Sequence, residues 1–207
     1  MFSDKFGLTK AVLEGKKTMT RRIIKAPKKM DGKEVYGFAV VRRSGSNEVI
    51  EVFATDADGA QINNILPAFK VGEVVAVAQS YEDASLNWIN MLKYKGEPGW
   101  KNKMFVRADL MPHQIRITNV RVERLQDISD EDCLREGIYS HTVELDEIPG
   151  VHPRTDYSYQ AKIGSNIPRW WFPTPKQAYA ALIDKVSGKG VWESNPFVFV
   201  YEFELVK

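Results

Sequence analysis

A single cysteine, Cys133, in a chain of 207 residues rules out an internal disulfide. No apolar run is long enough to span a bilayer, and the N-terminus lacks a charged-then-apolar leader. A reducing cytoplasm is therefore the expected compartment, with no membrane partner. Cys133 itself reads as a small buried apolar residue. Histidine is scarce as well. His113, His141 and His152 share no ligand-like spacing with one another or with the cysteine, so neither a metal nor a cofactor is expected. Repeats and low-complexity tracts are also missing, and 43% hydrophobic with 27% charged residues is ordinary globular composition. One domain over 1–207, carrying insertions, fits that length and can bury a full core.

Acidic residues are missing from one stretch in particular. Between Lys16 and Lys29 there are seven Lys or Arg and no Asp or Glu, in a chain whose total charge is only +2. At its head stands Gly15-Lys16-Lys17-Thr18-Met19-Thr20-Arg21-Arg22. Concentrated positive charge on a mildly acidic body suits an anion or a polar ligand; a solvated basic turn is the plainer alternative. A pI near 8.5 permits nucleic-acid binding without arguing for it.

The residues before this run predict a helix over 3–14, with Ser3 as its cap, Asp4 in its first turn and Gly15 at its end. Lys16 and Lys17 then complement the negative end of the helix. If the chain is extended beyond them, Thr18, Thr20 and Arg22 project to one side, and Met19 and Arg21 to the other. Glu34–Arg43 and Glu48–Ala54 predict a hairpin around Ser44-Gly45-Ser46-Asn47. Residues 60–70 read as irregular, and Val74–Ala78 as a short buried strand. Residues 86–100 read as an insertion loop, and 104–106 as a brief strand.

Gln114–Leu125 predicts a long strand whose inward phase switches, which places a bulge near Asn119. Ser129-Asp130-Glu131-Asp132 is a capped helix start, and Gly137 stops that helix. Residues 139–172 show no clear period and read as a long excursion, either a lid or packed filler. Thr174-Pro175 opens the best helix, closed by Gly188. Phe197–Val206 closes the chain as a strand whose first half is apolar on both faces. The class is α+β: a small mixed β-barrel with about three flanking helices and long insertions near 27–70, 84–101 and 139–173.

These pieces, in this order, resemble the ASCH domain family of PUA-like barrels, in its bacterial and phage form. The resemblance is carried by the Gly15–Arg22 run after a short helix and by Val71-Gly72-Glu73-Val74. Val120–Ile128 followed by Glu136-Gly137-Ile138, and Trp192–Phe197 with the closing strand, extend it to about two-thirds of the chain. It implies a barrel with the signature lining a cleft that binds RNA, more readily than DNA, or a nucleobase or nucleotide. One branch of the family hydrolyses the amide of 4-acetylcytidine with a Lys, a Thr and a Glu. By position these match Lys17, Thr20 and Glu136, and Thr18 and Arg22 match further polar positions of the motif; with Lys16 and Arg21 they are the candidate ligand-binding residues. Arg21 stands where the small enzymes carry an aliphatic side chain, and so adds charge beside the site.

A threonine hydroxyl needs a base to become a nucleophile. A lysine serves only if burial or like charge lowers its pKa from about 10.4. Lys16, Arg21 and Arg22 are sources of like charge, whereas Glu136 near Lys17 would act in the opposite sense. Glu136 could protonate a leaving amine, and Arg22 with backbone amides could hold an oxyanion. Read alone, Glu136 is an exposed residue at a helix end, and Thr18 and Thr20 are β-formers. For a nucleic acid, Tyr81, Trp88, Trp170 and Trp171 are the candidate stacking rings.

Overall fold

Gly7 adopts φ +68°, a left-handed conformation open to glycine, and splits the N-terminal helix in two. A turn of 3-10 helix at Asp4–Phe6 precedes α1 (Leu8–Leu13), in place of one continuous helix over 3–14, and Ser3 makes no side-chain cap. The computed structural model of the chain describes residues 2–25, 27–45, 49–84, 86–143, 154–159 and 171–206.

Beyond α1 come β1 (Met19–Ile23), then the short pair β2 (Lys29–Met30) and β3 (Lys33–Glu34). The expected hairpin follows as β4 (Gly37–Arg42) and β5 (Val49–Thr55), paired antiparallel. β6 (Gln61–Asn64) pairs with β5 where irregular chain was expected. Asparagines are poor strand formers, but pairing with a neighbouring strand overrides propensity. β7 (Val74–Ala76) is less buried than its apolar run suggests. Among the described residues it pairs with β8 alone, and Val74 is exposed.

The 86–100 insertion contains α2 (Trp88–Tyr94), capped by the Asn87 side chain. No strand forms at 104–106. β8 (Gln114–Arg124) is the expected long strand. Opposite it the register shifts between Glu202 and Phe203, which pair with Asn119 and Ile117. Thr118 is the extra residue, so the bulge falls where the change of phase placed it.

α3 (Asp130–Arg135) starts on the expected cap, with Ser129 Oγ accepting from the Asp132 N–H at 3.1 Å. The excursion expected over 139–172, lid or packed filler, falls largely on residues 144–153 and 160–170, which lie outside the described residues. What is described there is the antiparallel pair β9 (Tyr139–Val143) and β10 (Arg154–Ser158). α4 (Pro175–Ser187) is capped by Thr174; α5 (Val191–Ser194) and β11 (Phe197–Leu205) complete the chain.

The main sheet runs β1-β11-β8-β5-β4, with β6 on β5 and β7 on β8. It curls strongly into a half-barrel flanked by helices, a mixed α+β architecture consistent with a small β-barrel. Five α-helices are present among the described residues, where about three were expected; α2 and α5 are the short additions. β11 is central and is buried on both faces over Val198–Tyr201. One core lies inside the curl, around Val52, Ile115, Ile117, Tyr201 and Phe203. A second lies between the sheet and α3/α4, around Met19, Leu125, Cys133, Tyr179 and Leu182. The site lies near the second, because β1 is the edge strand nearest those helices.

Candidate active site

Lys17 lies between the end of α1 and the start of β1. Its backbone N–H bonds to Ala11 O, which closes the α1 terminus, and the next residue bonds to Arg135 O at the end of α3. Two helix ends thus meet at Lys17. Its side chain runs inward and is only 2% exposed, and Glu136, the C-cap of α3, is only 4% exposed. The amine donates to Glu136 Oε2 at 2.6 Å and to the Glu136 backbone oxygen at 2.7 Å.

Glu136 is therefore a buried partner of Lys17, not a solvated helix end. Burial pushes the Lys17 amine below its usual range. The Glu136 carboxylate pulls it back up, while the Arg22 and Arg21 charges add to the downward push. Desolvation prevails, so the amine releases its proton more readily than a free lysine.

Arg21 does not add loose charge beside the site. Its guanidinium is fully buried, with Nε and Nη2 on Glu123 Oε1 at 2.9 and 2.6 Å. Nη2 also reaches Asp132 Oδ2 at 2.9 Å, and Nη1 reaches Glu136 Oε1 at 3.2 Å. The network continues through Arg121, which bonds Glu123 Oε2 at 3.1 Å and Asp132 Oδ2 at 2.6 Å and also contacts Glu202. Arg135 closes it on Glu202 Oε2 at 2.8 Å. Four cations (Lys17, Arg21, Arg121, Arg135) thus meet four carboxylates (Glu123, Asp132, Glu136, Glu202), and the charges balance. The sequence runs much of this charge as solvent-facing, yet the fold turns it inward as a scaffold.

Thr18 belongs to that scaffold: its hydroxyl accepts from Arg135 Nε at 3.3 Å. Lys16 is exposed and paired with Glu14 Oε2 at 2.9 Å. Neither lines the cavity. Lys17, Thr20, Arg21, Arg22 and Glu136 do, in a cavity of about 390 Å³ walled also by Phe2, Leu8, Lys25, Leu182 and Val186. Among the described residues the Thr20 hydroxyl takes part in no hydrogen bond, and the Lys17 amine makes its bonds to Glu136.

Thr20 and Arg22, with Phe2, also border a second cavity of about 160 Å³ inside the curl, lined by Phe69, Val75, Ile115, Ile117, Tyr201 and Phe203. A polar and an apolar compartment thus meet at the threonine.

Of the candidate stacking rings, Tyr81 is buried against Tyr94, 4.7 Å between centroids. Trp88 is exposed on α2 and Trp171 sits edge-on to His141; neither lines the cavity. Trp170 lies outside the described residues.

Sequence reasoning missed Glu123, Asp132, Arg121, Arg135 and Glu202. A signal was present for Glu202, which follows five apolar residues in β11 and demands a partner once that strand is internal; β8 alternates polar with apolar residues, so Arg121 and Glu123 gave none. No known family model matches the chain, and no curated protein or solved structure is significantly similar to it.

Proposed function

We propose that the chain is an ASCH-type amidohydrolase that deacylates an N-acylated nucleoside of the 4-acetylcytidine kind. One observation carries this reading. A threonine hydroxyl with no hydrogen-bond partner among the described residues, a buried lysine whose amine is depressed, and a carboxylate in contact with that lysine all line one cavity. Its volume falls in the usual range of small-molecule sites, roughly 300–1,000 Å³.

The buried pair can carry both proton transfers. Passing a proton from Lys17 Nζ to Glu136 leaves a neutral amine and a neutral acid, with no change in net charge. Thr20 Oγ attacks the acyl carbonyl carbon while Lys17 takes its proton. The carbon–nitrogen bond then breaks as Glu136 protonates the leaving exocyclic amine. The acyl–threonine ester is hydrolysed by water, which gives a proton to Glu136 while Thr20 recovers one from Lys17. Both partners return to their starting state.

The base and sugar occupy the polar compartment, with Arg22 and Lys25 at its walls. The acyl group enters the apolar one, where an enclosed volume of about 150 Å³ suffices for a benzene-sized group. Incubation with 4-acetylcytidine tests the reading: the protein releases cytidine and acetate, and Thr20→Ala, which leaves the fold intact, does not. Intact substrate after incubation with active-concentration protein sinks it.

A second reading, RNA binding without turnover, draws on the exposed cations Arg22, Lys25, Lys28 and Lys29. It requires binding to single-stranded RNA that weakens steeply as salt is raised. Binding that is absent or indifferent to salt excludes it.

A further inference from the structure

β1 is an edge strand, and its backbone faces two ways. Phe203 N–H bonds to Thr18 O at 2.9 Å, and Ile24 N–H bonds to Phe197 O at 3.0 Å. In an antiparallel pair the hydrogen-bonded positions recur every second residue. With Thr20 opposite Tyr201 and Arg22 opposite Phe199, Thr20 and Arg22 therefore turn their peptide groups into β11, flanked by the Thr18 carbonyl and the Ile24 N–H. Met19, Arg21 and Ile23 turn theirs to the open edge. Among the described residues nothing pairs with that edge.

The cavity lies along this edge. It is lined by Thr20 and Arg22 and also by Arg21 and Ile23, whose side chains leave the opposite face of the strand. Only a space that wraps the edge touches both sets. Arg21 is decisive, because the residue is 5% exposed while its side chain is 0% exposed. The part of Arg21 that reaches the surface is its main chain.

An unpaired N–H thus stands one residue after the candidate nucleophile, on the wall of the cavity that the nucleophile lines. We infer that the main-chain N–H of Arg21 receives the carbonyl oxygen of the bound amide and holds the oxyanion as Thr20 attacks. The inference rests on the reading of Thr20 as nucleophile. A donor fixed before the reaction, aimed at the developing charge, is the feature acyl transfer most requires.

It also gives the buried guanidinium a role beyond stability. Hydrogen bonds to Glu123, Asp132 and Glu136 on β8 and α3 lock β1, and with it the 20–21 peptide, in one orientation. The side chain positions; the backbone donates.

The test replaces single N–H groups by ester oxygens in a semisynthetic full-length chain, leaving every side chain in place. Replacement at Arg21 should lower kcat on 4-acetylcytidine by about 100- to 1,000-fold with a smaller change in KM. Because that N–H bonds nothing among the described residues, the variant should melt above the variant made at Ile24. There the lost N–H is the one bonded to Phe197 O, so stability should fall while kcat is retained.

A kcat within threefold of wild type for the Arg21 ester, with Thr20→Ala inactive, overturns the inference and leaves the hydrolase reading standing. A melting temperature at or below that of the Ile24 ester also overturns it, since the N–H would then be part of the fold. Absence of turnover by the wild-type protein removes both.

Discussion

Lys17 Nζ touches Glu136 twice, at the carboxylate oxygen 2.6 Å away and at the backbone oxygen 2.7 Å away, although 119 residues separate them in sequence. The second contact ties the amine to the end of α3 regardless of the first. A buried pair of this kind costs most when one partner is removed, because the other is left charged without compensation, typically about 3–5 kcal/mol. Lys17→Met and Glu136→Leu should each lose stability on that scale in urea denaturation. The double variant should recover at least half of the summed loss, since Arg21 keeps Glu123 and Asp132. Strict additivity would show that the contact carries no coupling.

The same contact sets a pH dependence. Burial, ahead of the Arg22 and Arg21 charges, holds the Lys17 amine below its ordinary 10.5 despite Glu136. Between the folded value and 10.5 the unfolded chain binds the extra proton, so stability rises with pH through that window. Lys17→Met should flatten this rise in urea midpoints measured across the alkaline range. In the proposed cycle the Lys17–Glu136 pair must keep one transferable proton, so kcat/KM for the amide should fall as rising pH strips that proton from the pair. A rate that instead climbs with the ionisation of Lys17 would exclude that cycle.

Glu202 is the half-buried carboxylate that contributes on the acid side. Burial works to raise its carboxyl, but the hydrogen bond from Arg135, the Arg135 and Arg121 charges and Asn119 outweigh it, and the group sits below its ordinary 4.5. A depressed carboxyl contributes stability that is present above 4.5 and lost as pH falls through the folded value. Glu202→Gln should therefore narrow the difference in melting temperature between neutral and acid pH, chiefly by lowering the neutral value. An unchanged difference would remove Glu202 from the acid response.

Much of this architecture is legible in the residues because local rules decide it. Ser129, Thr174 and Pro175 cap their helices where the pattern puts them, and the change of phase along β8 marks the bulge at Thr118. The gathering of Lys17, Thr20 and Glu136 at one cavity was anticipated only through the family resemblance, since nothing local links positions so far apart. What misled was charge. A run of cations reads as surface until the long-range pairing of β1 with β11, and of β11 with β8, brings carboxylates over it. Arg21 and Arg22 are neighbours of like chemistry, yet one is buried and the other exposed, because strand parity decides between them. β6 escaped for a related reason, since it owes its form to pairing with β5, whereas α2 carries a local cap in Asn87 that the reading of 86–100 as a loop passed over.

Gly137 joins the fold to the site at a single position. It ends α3 with φ +100°, which L side chains rarely adopt, directly after Glu136. A Cβ there would stand 3.6 and 3.7 Å from Lys17 Cδ and Cβ and 3.4 Å from Leu8 Cδ2, ordinary contact distances. Gly137→Ala should therefore cost about 1–2 kcal/mol through the backbone, with little steric clash. Gly137→Val should cost more, because its branches meet the Lys17 stem and shift the amine from Glu136. Turnover should then fall more steeply than stability does. Equal melting temperatures for Gly137→Ala and wild type would show that the backbone there tolerates an L residue. A valine variant that unfolds no further than the alanine one, yet keeps full activity, would show that the stem of Lys17 yields without moving its amine.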